Sequence, residues 1–129
     1  MISVQHLDHI ALTVSNLERS IEWYNDLLGL ERRYQQYTGD DLAMLWAGDT
    51  SYLALFRATP EHARLKASRQ ELCMQHFAFR VDRKNFERAF HELESRNIEY
   101  RLVTREITHA LYFFDPDGYE LEVATYELE

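Results

Sequence analysis

The sequence predicts an α+β fold built from two β-α-β-β-β modules. Two observations lead to this prediction: a strand, a helix and three further strands occur in that order twice, and the segment HIALTV at 9–14 aligns with HFAFRV at 76–81, an offset of 67 residues (76 − 9). The chain of 129 residues supplies about one domain. Because one helix covers only one face of a four-stranded sheet, we expect the modules to pack together around a shared interior.

The first module, at about residues 5–57, begins with a strand because polar and apolar side chains alternate over Leu7–Val14. A helix over Asn16–Leu28 follows, since Ser15 and Glu18 have the spacing of a capping box and Gly29 supplies a C-terminal stop. Turn sequences then separate three predicted strands: Leu30–Tyr37, Leu42–Trp46 and Ser51–Arg57.

The second module, at about residues 74–127, repeats this order after a linker at about 58–73. A strand is predicted over Met74–Val81, and Asp82 is predicted to cap a helix that carries Phe86 and Leu93. Three strands complete the module, with a tight turn at Asp115-Pro116-Asp117-Gly118 between the last two: Ile98–Val103, His109–Phe114 and Tyr119–Tyr126. The whole chain, residues 1–129, is therefore predicted to form a single domain.

The charge and cysteine content exclude several classes of protein. Asp and Glu number 22 against 14 Lys and Arg, a net charge of −8, which repels a phosphate backbone and argues against nucleic acid as a partner. Cys73 is the one cysteine, so the chain contains no internal disulfide. No signal-peptide pattern and no apolar run of roughly 20 residues is present. We therefore expect a cytoplasmic protein with no membrane partner.

Three residues form a candidate metal site: His9, His76 and Glu122. The two histidines occupy equivalent places in the first strands of the two modules, and Glu122 lies in the last strand. Two imidazoles and one carboxylate are the ligand set of an open divalent-metal site, which leaves positions for water, oxygen or substrate. The alternative is that both histidines are buried strand residues with local hydrogen bonds, but their paired placement favours the metal site.

The sequence resembles the vicinal oxygen chelate superfamily, which includes glyoxalase I, extradiol dioxygenases, fosfomycin-resistance thiol transferases and bleomycin-binding proteins. Four segments carry the resemblance: LDHIALTV at 7–14, WYNDLLGL at 23–30, QHFAFRV at 75–81 and YFFDPDGYELE at 112–122. The resemblance implies paired modules that form an open, cupped eight-stranded barrel. It also implies that His9, His76 and Glu122 are the metal ligands.

Within the superfamily, several positions distinguish the branches. The resemblance implies that a glyoxalase I has four metal ligands, one of them an acid in the first module. This chain has Ala54 at that position, so a lactoylglutathione lyase is disfavoured. Tyr112 matches a tyrosine that dioxygenases and fosfomycin transferases carry near the substrate oxygens, although it is equally consistent with a core aromatic. Fosfomycin itself is disfavoured, because Ala11 replaces a typical threonine and residues 105–110 lack the Lys and Ser cluster that binds phosphonate.

Two further histidines are candidates for proton transfer, because an imidazole titrates near working pH. His62 precedes His76 by fourteen residues (76 − 62), close to where ring-cleaving relatives keep an acid-base histidine, although a solvated surface position is also expected for it. His109 precedes Tyr112 by three residues, an odd spacing that places the two side chains on opposite faces of a strand.

The leading functional expectation is an extradiol-dioxygenase-like enzyme. It would hold Fe2+ or Mn2+, with Ni2+ or Zn2+ as alternatives, and bind a small molecule through two adjacent oxygens. Tyr112 would hydrogen-bond the oxyanion that develops. The alternatives are a glyoxalase-type isomerase or lyase, and a metal-free binding protein like the bleomycin-resistance members. A homodimer is consistent with each of them.

Overall fold

A computed structural model describes residues 1–61 and 73–129. The chain divides into two compact units, Met1–Gln70 and Glu71–Glu129. Each unit contains one four-stranded sheet and a long helix between its first and second strands, so the predicted α+β class and the predicted module order are confirmed. None of the helices in the described part of the chain is long and apolar enough to span a membrane.

The first unit pairs its first strand with its last strand. In chain order its elements are β1 (His9–Val14), α1 (Leu17–Leu28), β2 (Glu31–Arg33), α2 (Gln35–Thr38), β3 (Leu42–Ala47) and β4 (Ser51–Arg57). The sheet order is β1-β4-β3-β2, in which β1 and β4 run parallel and the other pairs are antiparallel. Helix α1 packs on β3 and β4. Leu12 and Val14 of β1 are buried, whereas His9, which begins the strand and lies on its opposite face, is exposed.

The second unit has the same topology. Its elements are β5 (Phe77–Arg80), α3 (Arg83–Ser95), β6 (Arg101–Thr104), β7 (His109–Phe114) and β8 (Glu120–Thr125). The sheet order is β5-β8-β7-β6, again with the first and last strands parallel. Helix α3 packs on β8 and buries Phe86 and Leu93, and Gly118 closes the predicted turn by donating its amide to the carbonyl of Asp115.

The register of the two sheets confirms the internal repeat. Ala11 of β1 is paired with Ala54 of β4, and Ala78 of β5 is paired with Glu122 of β8. Ala54 therefore occupies in the first unit the position that Glu122 occupies in the second. The first unit thus carries no carboxylate at this position.

Two local predictions were wrong. The cap of α1 is Asn16, whose side chain accepts from the amide of Arg19, and not Ser15 as the capping-box spacing suggested. The strand predicted over Leu30–Tyr37 ends at Arg33, because Tyr34 adopts a left-handed conformation with φ of 63° and begins α2. A left-handed residue interrupts the extended backbone that a strand requires. Most of the predicted linker, residues 62–72, lies outside the described residues.

The cap of α1 gives a direct test of this fold. We expect Asn16→Ala to lower the free energy of unfolding by about 1 kcal/mol, since the amide of Arg19 loses its acceptor. Urea denaturation followed by circular dichroism measures the difference. Ser15→Ala is the matched control and should cost clearly less; a larger loss for Ser15→Ala than for Asn16→Ala would contradict the assigned cap.

Candidate metal and substrate site

The second unit places His76 and Glu122 side by side. His76 directly precedes β5, Glu122 lies in β8, and the parallel pairing of these strands sets Ala78 opposite Glu122. The Nε2 atom of His76 is 3.1 Å from Oε1 of Glu122, and the exposed fractions of the two side chains are 29% and 15%. The pair is therefore held by regular strand pairing and remains accessible.

Tyr112 completes this cluster from the neighbouring strand. It lies opposite Glu122 in the β7–β8 register, and its ring meets the ring of His76 edge-on with centroids 5.2 Å apart. The hydroxyl of Tyr112 hydrogen-bonds Glu122. Burial, and then the hydrogen bond and charge of Glu122, raise the pKa of Tyr112, so the hydroxyl stays protonated well beyond neutral pH and remains a donor.

Two arginines contact Tyr112. The guanidinium of Arg101 lies over the ring at 4.5 Å from its centroid. Arg105 hydrogen-bonds the hydroxyl. This cation lowers the pKa of Tyr112, but burial and Glu122 raise it by more. The sequence analysis disfavoured fosfomycin because residues 105–110 lack a Lys and Ser cluster, and it did not single out Arg105, which contacts Tyr112 in the structure. The only sequence signal was a basic residue in the turn before β7.

Glu120 lies on the other side of the His76 ring. Its Oε1 atom is 3.9 Å from Nδ1 of His76, and its Oε2 atom is 3.7 Å from a guanidinium nitrogen of Arg101. Beside it a cavity of about 200 Å³ opens, with His76 in its wall. The cavity is lined by Met74, Gln75, His76, Phe77, Phe114, Gly118, Tyr119 and Glu120. A small molecule beside His76 therefore has room.

His9 belongs to the first unit and is held by two neighbours. Its Nδ1 atom is 2.8 Å from Oδ2 of Asp8, and its ring stacks on Tyr52 of β4 at a centroid distance of 4.7 Å. Tyr52 in turn stacks on Trp46 of β3 at 4.8 Å. Burial raises the pKa of Tyr52, as do the charge of Asp8 and a hydrogen bond to it.

Of the two candidates for proton transfer, His109 is not brought to this cluster. His109 lies at the start of β7 and accepts a hydrogen bond at Nδ1 from Arg83 of α3, 3.0 Å away, on the side of the sheet that faces the helix. Tyr112, three residues later, points to the other face. His62 lies outside the described residues.

The donor set of the second unit fits a divalent ion. Two ligands that are each about 2.1 Å from an ion and subtend a right angle are roughly 3 Å apart, which matches the His76–Glu122 separation of 3.1 Å. In residues 73–129, no three His, Cys, Asp or Glu side chains are grouped so as to hold a metal ion by themselves. A metal bound at this pair therefore requires further ligands.

Comparisons of sequence and of structure with known proteins indicate the same superfamily. The sequence model of the Glyoxalase/Bleomycin resistance protein/Dioxygenase superfamily matches residues 6–123. A glutathione transferase, FosA of Serratia marcescens, is 32% identical over 120 residues, which span 93% of this chain and 80% of FosA. The metallothiol transferase FosB of Staphylococcus haemolyticus is 28% identical over 131 residues, 98% and 87% of the two chains. A solved glyoxalase/dioxygenase from Nostoc punctiforme is similar with a TM-score of 0.74 at 25% identity, and the match covers 98% of both chains.

The charges around Tyr112 make opposite predictions for two variants. Glu122→Gln should lower the pKa of Tyr112, because a negative charge that disfavours tyrosinate is removed; Arg105→Gln should raise it, because a stabilising cation is lost. The Cζ chemical shift of 13C-labelled tyrosine, followed against pH, measures both, and Tyr112→Phe assigns the signal. Shifts of the same sign in the two variants would contradict the geometry.

Proposed function

Because this chain belongs to the Glyoxalase/Bleomycin resistance protein/Dioxygenase superfamily, we propose that it is a divalent-metal-dependent enzyme acting on a small molecule. The observation that carries the proposal is the His76–Glu122 pair, with the protonated hydroxyl of Tyr112 beside it. An imidazole nitrogen and a carboxylate oxygen at this separation are suited to neighbouring positions on one ion. His9 is proposed as the third protein ligand, on the basis of its equivalence to His76 in the repeat.

The side chains around the pair have separate roles in this proposal. When bound, a divalent ion would polarise substrate oxygens as a Lewis acid. Tyr112 would donate a hydrogen bond to an oxygen on which negative charge develops, which its raised pKa permits. Arg105 would bind an anionic group of the substrate through charge-assisted hydrogen bonds. The cavity beside His76 would accept the rest of the molecule.

Among reactions of the superfamily, we propose transfer of a thiol to a small electrophile. The relatives named as glutathione transferase and metallothiol transferase align along 93% and 98% of this chain, and Arg105 supplies a cation beside Tyr112. The attacking sulfur would form a bond to carbon while a carbon–oxygen bond of the electrophile breaks, and the oxygen would take up the proton that the thiol releases. The reaction of the thiol with the electrophile involves no net oxidation or reduction.

Other chemistries remain alternatives to this proposal. The extradiol-dioxygenase reaction predicted from the sequence would use the same ligands and Tyr112, and a glyoxalase-type isomerase would also need the metal. A bleomycin-resistance-like binding protein would not. A homodimer is compatible with the thiol transferase, the dioxygenase, the isomerase and the binding protein.

Metal binding tests the ligand assignment. We expect the protein, purified without an affinity tag, to bind about one Mn2+, Fe2+ or Zn2+ per chain in calorimetric titrations, those with Fe2+ under anaerobic conditions. His9→Ala, His76→Ala and Glu122→Ala should each weaken binding by more than the roughly 10–100-fold that loss of an outer partner costs.

The matched control is His91→Ala, which removes an exposed histidine of α3. It should leave the affinity unchanged. Stoichiometric binding that survives Glu122→Ala in a folded protein would exclude the assignment.

Thiol consumption tests the reaction class. With Mn2+ bound, we expect glutathione or cysteine to be consumed in the presence of a small anionic epoxide such as fosfomycin. Arg105→Gln should raise the KM for the anionic substrate about tenfold, the effect of losing one charge-assisted hydrogen bond, and change little for a neutral epoxide. Arg88→Gln on α3 is the control.

Three outcomes would replace this proposal by an alternative. Oxygen uptake with a catechol and no thiol consumption would favour the dioxygenase. Turnover of a thiohemiacetal without oxygen would favour the isomerase, and tight binding of a ligand by metal-free protein without turnover would favour the binding protein.

A further inference from the structure

The imidazole of His9 is fixed from two directions within the first unit. The carboxylate of Asp8 meets Nδ1 at 2.8 Å, in the range of a hydrogen bond, and the ring of Tyr52 lies against the imidazole face with an angle of 9° between the planes. The first contact determines which nitrogen carries the proton. The second restricts rotation of the ring about its Cβ–Cγ bond.

These two neighbours are also connected to each other. The hydroxyl of Tyr52 hydrogen-bonds the carboxylate of Asp8, and its backbone amide donates to the carbonyl of Asp8 at 3.2 Å. Trp46 stacks on the far face of Tyr52 with 29° between the planes. The register places His9 opposite Tyr52 and Tyr52 opposite Trp46, so three neighbouring strands support one imidazole.

We propose that Asp8 and Tyr52 are positioning residues that hold His9 as the Nδ1–H tautomer with its ring plane fixed. An ionised carboxylate only accepts hydrogen bonds, so Nδ1 carries the hydrogen and Nε2 keeps its lone pair. His9 thereby presents Nε2 as a ligand before a metal arrives. The inference deepens the proposed function, on which the role of Nε2 as a ligand rests, and the orientation itself follows from contacts within the first unit.

His76 provides an internal contrast. The repeat places Gln75 where the first unit has Asp8, and Glu120 where it has Tyr52. Its Nδ1 lies 3.9 Å from Glu120, beyond hydrogen-bond distance, whereas its Nε2 lies 3.1 Å from Glu122. In the metal-free protein the nearest carboxylate therefore favours a hydrogen on Nδ1 of His9 but on Nε2 of His76. The two histidines should have opposite tautomers.

Nuclear magnetic resonance of metal-free protein labelled with 15N-histidine tests the inference directly, since long-range 1H–15N correlations distinguish the two neutral tautomers. At a pH where both rings are neutral, His9→Ala and His76→Ala assign the signals. We expect the Nδ1–H pattern for His9 and the Nε2–H pattern for His76. An Nε2–H pattern for His9 would overturn the proposal.

Variants separate the carboxylate from the ring. Asp8→Ala should remove the preference of His9 for Nδ1–H and weaken metal binding about tenfold, the lower end of the effect of outer partners because Asp8 is exposed. Asp8→Asn keeps an acceptor oxygen and should restore part of both. Tyr52→Leu should keep the tautomer and broaden the His9 signals through ring motion, whereas Tyr52→Phe, which retains the ring, should not broaden them.

Gln75→Ala is the matched control in the second unit and should leave the His9 signals unchanged. An Asp8→Ala protein with unchanged tautomer and unchanged metal affinity would overturn the proposal while leaving the proposed function intact. The converse result, predicted tautomers in a protein that binds no metal, would support the orientation by Asp8 and overturn the proposed function instead.

Discussion

Parallel pairing between the first and last strands is the constraint on which both units depend. In each unit a long helix follows the first strand, and two further strands intervene before the last strand returns to lie beside the first. This pairing determines which residues that are far apart in sequence become neighbours in space. It places Glu122 beside Ala78, next to His76, and it places Tyr52 beside His9. A slip of one residue would turn each of these side chains to the helix face, so the hydrophobic pattern that buries Leu121 and Val123 also holds Glu122 in place.

The sequence predicted the regular elements because their signals are local. Alternation of polar and apolar residues located the strand His9–Val14, and Gly29 and Asp82 marked helix ends that the structure retains. The failures also have local causes. Ser15 and Asn16 are adjacent residues that can both cap a helix, and spacing alone does not choose between them. Tyr34 has a left-handed backbone conformation that tyrosine rarely adopts, and no pattern in the sequence predicts this conformation.

The candidate site was predictable to the extent that repeat symmetry determines it. The alignment of the two halves singled out His9 and His76 as equivalent, and the strand period placed Tyr112 and His109 on opposite faces, as the structure has them. Arg105 was missed because it lies in a turn, where side-chain direction has no period. The contact between Asp8 and His9 was missed for another reason: adjacent residues in a strand point to opposite faces, and Asp8 lies just before β1, where this alternation does not apply.

The register match between Ala54 and Glu122 has an evolutionary consequence. The two halves of a duplicated gene begin with the same side chain at equivalent positions, so one of them has changed since the duplication. Ala54 is 4% exposed, and a carboxylate buried there without a cation would cost several kcal/mol unless it was neutralised. Where no cation lies beside this position, selection for stability favours a small apolar residue such as Ala54. At this pair of equivalent positions the two units therefore differ: the first carries an apolar side chain in its core, and the second carries the carboxylate that contacts His76.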